Sequence, residues 1–307
     1  MICFGMVTTA RSRHYTGPAL ASFFRHTVMA TDDRFLLIDN DGDFEMPDGF
    51  SRVELIRRDR PRRFASNVNF AIEQASHSNA DVVFLNNDIV FTPGWLAPLM
   101  NGNTAILVPI SNQQVPYQRG GLNLHFTMDW VDYAGREDEL SAIVKDHQAN
   151  PQFCGRYVSV LHLSFFCFRL PRQIYGAVGL FDEGFGIGGG EDIDYRIRAH
   201  LAGFGVGMAA ESYLLHFMGK STWRGGETIE QMKARDSVYQ LYFRAKWGSD
   251  LANIFLFGPD SMKHTAALGL DNMIKTGDFR GLICCCLARR SALEAAAPAT
   301  SLMGRVG

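Results

Sequence analysis

The sequence predicts an α/β fold: a mostly parallel central sheet flanked by helices, followed by a helical C-terminal extension. Three observations carry this reading. Apolar runs of strand length, "ICFGMV", "RFLLID" and "DVVFLN", recur near the start of the chain. Segments with apolar residues at helical spacing separate them, and that alternation builds a parallel sheet with helices on both faces. The second and third runs end in polar or acidic residues, at the sheet edge where open α/β folds hold ligands.

The elements follow in order. The first strand starts at Ile2, and Gly17-Pro18 followed by "ALASFFRH" predicts a helix with one apolar face. "RFLLID" runs into the acidic turn Asp39-Asn40-Asp41-Gly42-Asp43, and "RVELIR" from Arg52 predicts a third strand. In "RRFASNVNFAIEQASH", Phe64, Val68, Ile72 and Ala75 share a helical face, and "DVVFLN" is a continuous apolar strand. "TAILVPI" and "YVSVLHLSFFCFRL" predict further strands, the second long and rich in β-branched and aromatic residues. Between them, "QQVPYQRGGLNLHF" through "HQANPQF" has no firm period, which is the pattern of a functional or mobile loop. "EDIDYRIRAHLAG" predicts a helix closed by Gly203, "VGMAAESYLLHF" a strand and "ETIEQMKARDSVYQLYFRAKWG" a longer helix. After Arg290 there is little bulky apolar material, so a frayed tail is expected.

Thirty basic and 32 acidic residues in a chain of 307 leave a net charge of -2, which gives the whole molecule no pull toward nucleic acid. Cys3, Cys154, Cys167 and the run Cys284-Cys285-Cys286 lack the spacing of a disulfide framework or zinc site, so a reducing compartment is expected. The N-terminal "MICFGMVTTARSR" is a poor secretory signal, and no stretch approaches the roughly 20 apolar residues of a spanning helix. A cytoplasmic protein is the expectation. The segment "TGDFRGLICCCLARRSALE" joins an apolar run to Arg289 and Arg290, which suits either peripheral contact with the inner face of a membrane or packing on the main domain.

Several constellations can carry chemistry. "FLNNDIVFTPGW" ends an apolar strand on Asn86, Asn87 and Asp88 before turning at Pro93-Gly94, which presents hard oxygen ligands at a sheet edge. Asp39 reads either as the anchor of a solvated Asx turn or as an acceptor for a nucleotide base or sugar hydroxyl. Gly184, Gly186 and Gly189 match the spacing of a dinucleotide fingerprint. That match fails on charge, because Glu191, Asp192 and Asp194 follow where a pyrophosphate would sit. The glycines instead permit a flexible loop carrying carboxylates. Asp192 with Arg196 and Asp194 with Arg198 have the spacing of surface ion pairs, and one of these acids equally suits a general base. His216, at a strand end before Gly219, Lys220 and Ser221, suits a metal or phosphate.

Taken in order, these pieces resemble the family-two nucleotide-sugar glycosyltransferases of GT-A fold, and "FRAKWG" looks like the K-W-G ending of a bacterial, rhamnosyltransferase-like branch. "FLLIDNDGD" resembles the strand-end acidic motif of that family, and "FASNVNFAI" its N-x-G-I segment. "FLNNDIVFTPGWL" resembles the D-x-D region, with Asn86 in the first acidic place. "GLFDEGFGIGGGEDIDYRIRAHLAGF" resembles the acceptor-side signature, and "HFMGKS" the H-x-x-G-x-S that follows. The resemblance implies a catalytic domain over residues 1–250, divided near 103 into nucleotide-sugar and acceptor halves, with a helical extension and flexible tail over 251–307. It implies Asp192 as base beside Glu191, and a divalent cation, Mn2+ or Mg2+, on Asp88 and His216. It places Thr9, Arg11, Asp39, Asn69, Asn86, Asn87 and Lys220 around the donor. The implied reaction is inverting transfer from a nucleoside-diphosphate sugar to a hydroxyl of a glycan or lipid-linked acceptor, as in polysaccharide assembly. Two other classes compete. A sugar nucleotidyltransferase normally needs a glycine-rich loop after the first strand, which "TTARSR" lacks. A non-catalytic carbohydrate- or metal-binding module of the same fold is the other, motivated by Asn86.

Overall fold

The structure is a computed structural model that describes residues 1–112, 130–155, 157–217 and 228–296. Strands β1 (Ile2–Thr8), β2 (Arg34–Asp39), β3 (Val53–Arg57) and β4 (Asp81–Leu85) alternate with helices α1 (Arg13–His26) and α2 (Phe64–His77). There follow β5 (Ile89–Val90), β6 (Ala105–Ser111), α3 (Trp130–Tyr133), α4 (Glu137–Gln148), β7 (Tyr157–Val158), β8 (Cys167–Leu170) and α5 (Arg172–Val178). Helix α6 (Glu191–Leu201) and the long β9 (Gly205–His216) complete the sheet region. Helices α7 (Ile229–Trp247), α8 (Ser249–Leu256), α9 (Pro259–Ala267), α10 (Asp271–Thr276) and α11 (Phe279–Ala296) form the C-terminal part.

The sheet order is β3-β2-β1-β4-β8-β6-β9-β5, with β7 also on β9. β1, β2, β3 and β4 run parallel, so Thr8, Asp39 and Leu85 all end at one edge. β8 is antiparallel to both β4 and β6, and β9 is parallel to β6. Two reversals bring β9 back to the direction of β4. His216, the last residue of β9, therefore lies at the same edge as the residues that follow β4.

Every residue of β1 is buried, which requires a cover on each face. Phe4 meets Phe23 of α1 edge-on at 5.0 Å on one side. On the other, α2 approaches so closely that a Cβ on Gly5 would lie 3.0 Å from the Ala71 Cβ. A second apolar cluster joins Leu161, Phe185, Ile197 of α6 and Phe243 of α7 to Leu251, Phe255, Phe279 and Ile283. The C-terminal helices thus pack on the acidic helix, in line with the packed alternative for this segment.

Three expectations change. α1 begins at Arg13 and contains Pro18, rather than starting at the Gly17-Pro18 pair. Its first turn is anchored from outside: the Asn87 Nδ2 donates to the Ser12 carbonyl, Ser12 Oγ and Thr16 Oγ1. The predicted strand through "YVSVLHLSFFCFRL" breaks into β7 and β8. The carbonyls of Val160, Leu161 and Leu163 accept instead from the buried Arg196 guanidinium, which competes with ladder formation. Helix α11 continues past Arg290 to Ala296, held by Arg290–Glu294 at 2.7 Å, and the rest of the tail lies outside the described residues. So does part of the irregular loop before β7, whose later portion forms α3 and α4.

Candidate functional site

The edge formed by the ends of β1, β2, β4 and β9 carries the candidate site. Asp88 and His216 face each other with Oδ1 and Nε2 3.5 Å apart, both side chains almost wholly buried. Backbone pairing fixes the approach: Ile89 is in register with His216, and the Phe217 N–H donates to the Asp88 carbonyl at 2.9 Å. The imidazole is stacked on Phe166 with centroids 4.5 Å apart, and its backbone N–H donates to Asn112 Oδ1. Among the described residues its Nε2 has no hydrogen-bond partner. A carboxylate oxygen and an imidazole nitrogen aimed at each other are two donors of the kind that would hold a divalent ion. Among the described residues no group of three or more His, Cys, Asp or Glu surrounds such an ion.

The acidic helix is close by. Phe165 precedes the ring that stacks on His216, and its backbone N–H favours the ionised form of Asp192. Asp192 is partly exposed, and its Oδ1 accepts from the Ile193 N–H at 2.8 Å. Burial pushes its carboxyl up, against the opposing charge of Arg196. Glu191 is buried and accepts from the Gly189 N–H at 2.5 Å. Burial, then the charge of Asp192, push its carboxyl up from 4.5 to about 7. An acid poised there can exchange protons at neutral pH.

That shift has a sign for stability. Between pH 4.5 and about 7 the folded chain binds the proton that the unfolded chain has released. Stability contributed by neutral Glu191 is therefore present at low pH and lost as pH rises toward 7. Glu191→Gln is expected to flatten the Tm-versus-pH curve in that window, and an unchanged slope in scanning calorimetry would contradict the assignment.

The ion-pair reading of this helix holds for one pair. Arg198 Nε meets Asp194 Oδ2 at 2.8 Å, whereas Arg196 gives its guanidinium to the carbonyls named above. Asp194 also accepts from Trp247 Nε1 at 2.9 Å and pairs with Lys246 at 2.7 Å. Asp182 pairs with the same ammonium at 2.5 Å. The motif resemblance touched these residues without assigning them contacts, because their partners lie far along the chain.

The donor-side expectations separate into two groups. Thr9 and Arg11 lie in the turn after β1, with Thr9 Oγ1 on Ser12 Oγ at 2.9 Å and Arg11 exposed. Asn86 is partly exposed and its N–H donates to the Phe166 carbonyl. Asp39, Asn69 and Asn87 use their side chains inside the protein. Asp39 accepts from the N–H groups of Gly42 and Phe44 and from Arg57, an Asx-type turn whose carboxylate is buried rather than solvated. Asn69 donates to the Phe181 carbonyl and Glu183, and accepts from the Phe181 N–H at 2.7 Å. Asn69→Ala should cost about 1 to 3 kcal/mol, since it strands buried partners in the 181–183 turn. A denaturant midpoint equal to wild type would refute that role. Lys220 lies outside the described residues.

A cavity of about 440 Å³ lined by Asn101, Thr104, Tyr157, Gly205 and Glu211 opens at the start of β6 and β9, the opposite edge of the sheet. The carboxylates discussed above do not line it.

No protein-family model matches the chain. It is 26% identical over 198 residues to polypeptide N-acetylgalactosaminyltransferase 11 of Xenopus tropicalis, which spans 58% of this chain and 30% of that protein. It is 21% identical over 221 residues to a Drosophila melanogaster protein carrying the name polypeptide N-acetylgalactosaminyltransferase 9, covering 64% of this chain and 32% of the relative. The chain thus spans about a third of the length of these curated relatives. Among solved structures, GalNAc-T7 with UDP, GalNAc and Mn2+ superposes with a TM-score of 0.54 over 92% of this chain and 55% of the other, at 12% identity. A likeness at that identity is one of architecture, and together with the sheet order it establishes that this chain has the GT-A fold of glycosyltransferases.

Proposed function

We propose that this chain is a nucleotide-sugar glycosyltransferase that inverts the anomeric centre, with Asp192 as general base. The observation that carries the reading is the buried Asp88–His216 pair at the sheet edge where β4 and β9 end, with α6, whose first turn holds Glu191 and Asp192, packed against β9. Asp192 takes the proton of an acceptor hydroxyl as its oxygen bonds to the anomeric carbon. The bond from that carbon to the diphosphate breaks, and its electron pair leaves with the nucleoside diphosphate. Glu191 is the neighbouring acid to which the proton can pass. Asp88 and His216 are the residues that would hold a divalent cation, Mn2+ or Mg2+. When bound, such an ion supplies charge stabilisation to the departing diphosphate. Thr9, Arg11 and Asn86 border the donor from the sheet edge, while Asp39, Asn69 and Asn87 fix the turns that shape it.

The relatives are named for N-acetylgalactosamine transfer, and the solved neighbour GalNAc-T7 holds UDP, GalNAc and Mn2+. That supports a UDP-linked N-acetylhexosamine as the first donor to examine, beside the nucleotide-linked rhamnose suggested by the K-W-G ending. A glycan or lipid-linked hydroxyl is the proposed acceptor, and the cytoplasm the proposed compartment. No described helix is long and apolar enough to cross a membrane. The buried face of α11, Phe279, Leu282, Ile283 and Cys286, supports packing rather than lipid contact as its main use.

The test incubates the protein with Mn2+ and a panel of nucleotide sugars, with nucleoside-diphosphate release as readout and NMR of the product anomer for stereochemistry. Release with an inverted anomer supports the proposal. Retention would overturn the role of Asp192. Absence of binding to every donor, with and without metal, would favour the non-catalytic module, and turnover of a nucleoside triphosphate with a sugar phosphate would favour a nucleotidyltransferase.

A further inference from the structure

We propose that Lys246 is a positioning residue that holds the carboxylate loop closed on α6, which deepens the reading above and rests on it. The loop between Phe181 and Glu191 is rich in glycine, and Gly186, Gly189 and Gly190 adopt φ of 91°, 119° and 85°. A backbone of that kind has little intrinsic preference for one conformation. Its two ends are joined by a single ammonium. Lys246 Nζ is 2.5 Å from Asp182 Oδ2, before the glycines, and 2.7 Å from Asp194 Oδ1, after them.

The surrounding groups make the clamp specific. Tyr242 OH donates to Asp182 Oδ2 at 3.1 Å, and Trp247 Nε1 donates to Asp194 Oδ1 at 2.9 Å. Helix α7 also lies directly on the loop: a Cβ added at Gly189 would stand 2.7 Å from the Tyr239 ring. Asp194 is fully buried, so its ion pairs are screened less than surface pairs. The end of α7 is held in turn by α11, whose Arg290 donates to the Lys246 carbonyl at 2.9 Å. Glu191 and Asp192 occupy the first turn of α6, between the two tethered acids. The C-terminal helices thereby reach the proposed base through contacts that bypass the donor-side edge.

A base displaced by about 1 Å can lose on the order of 100-fold in rate without any change in its chemistry. The experiment compares Lys246→Met and Lys246→Arg with wild type. Amide exchange read by mass spectrometry over 183–191 should be faster in Lys246→Met and close to wild type in Lys246→Arg. Transfer kinetics should show kcat reduced by about 10- to 100-fold in Lys246→Met, donor KM nearly unchanged, and recovery in Lys246→Arg. If Lys246→Met does not fold, Asp182→Asn removes one arm of the clamp and should speed exchange in the same peptides. Unchanged exchange in the folded variants would overturn the proposal, as would equal losses in kcat and donor affinity. If wild type transfers no sugar, the functional reading fails by itself, and the exchange comparison still decides whether the clamp exists.

Discussion

Replacing Asp192 by asparagine is expected to lower kcat by about 10²- to 10⁴-fold, the range for losing a general base, while donor affinity stays within a few-fold of wild type. The carboxamide keeps the shape of the side chain, and its oxygen can still accept from the Ile193 N–H. What it loses is the ability to take a proton. Stability should hold or rise, because burial already disfavours the charge that the substitution removes. Glu191 should become a stronger acid, its carboxyl moving back down toward its ordinary range, since the Asp192 charge adds to burial in pushing it up. Donor titration calorimetry, transfer kinetics and thermal melting on the same samples make the check. Wild-type kcat in the variant would remove Asp192 from the mechanism.

Asp88→Ala is expected to produce the second large effect: Mn2+ affinity and metal-dependent donor affinity should each fall by about 100-fold or more, corresponding to some 3 kcal/mol. The carboxylate is the oxygen donor of the Asp88–His216 pair, so its removal leaves only the imidazole to hold a divalent ion. The backbone contact from Phe217 to the residue 88 carbonyl does not depend on the side chain, so the local fold should survive. His216→Ala should weaken the ion as well. It should also open space against Phe166, which now stacks on the ring. Direct Mn2+ titration by electron paramagnetic resonance separates binding from activity. Equal affinity in Asp88→Ala and wild type would move the ion elsewhere.

The alternation of apolar strand-length runs with helically spaced apolar segments determined the α/β architecture, and the order of acids and glycines marked the candidate site residues. Burial periodicity and helix-start chemistry are local properties: "RFLLID" and "DVVFLN" must bury, and Glu191-Asp192 suit a helix N-terminus wherever the chain goes. Only the tertiary structure decided which groups those residues meet. The carbonyls of Val160, Leu161 and Leu163 left a strand-like sequence for Arg196, against β propensity. Asn69 and Asn87, read as donor contacts, put their carboxamide N–H groups on the 181–183 turn and on α1. His216 found Asp88 because two antiparallel steps in the sheet return β9 to the direction of β4. Lys246 found Asp182 and Asp194 because α7 packs across the loop they delimit. Hydrogen bonds and ion pairs act over a few ångströms of space, whatever the separation in sequence, so folding chooses their partners.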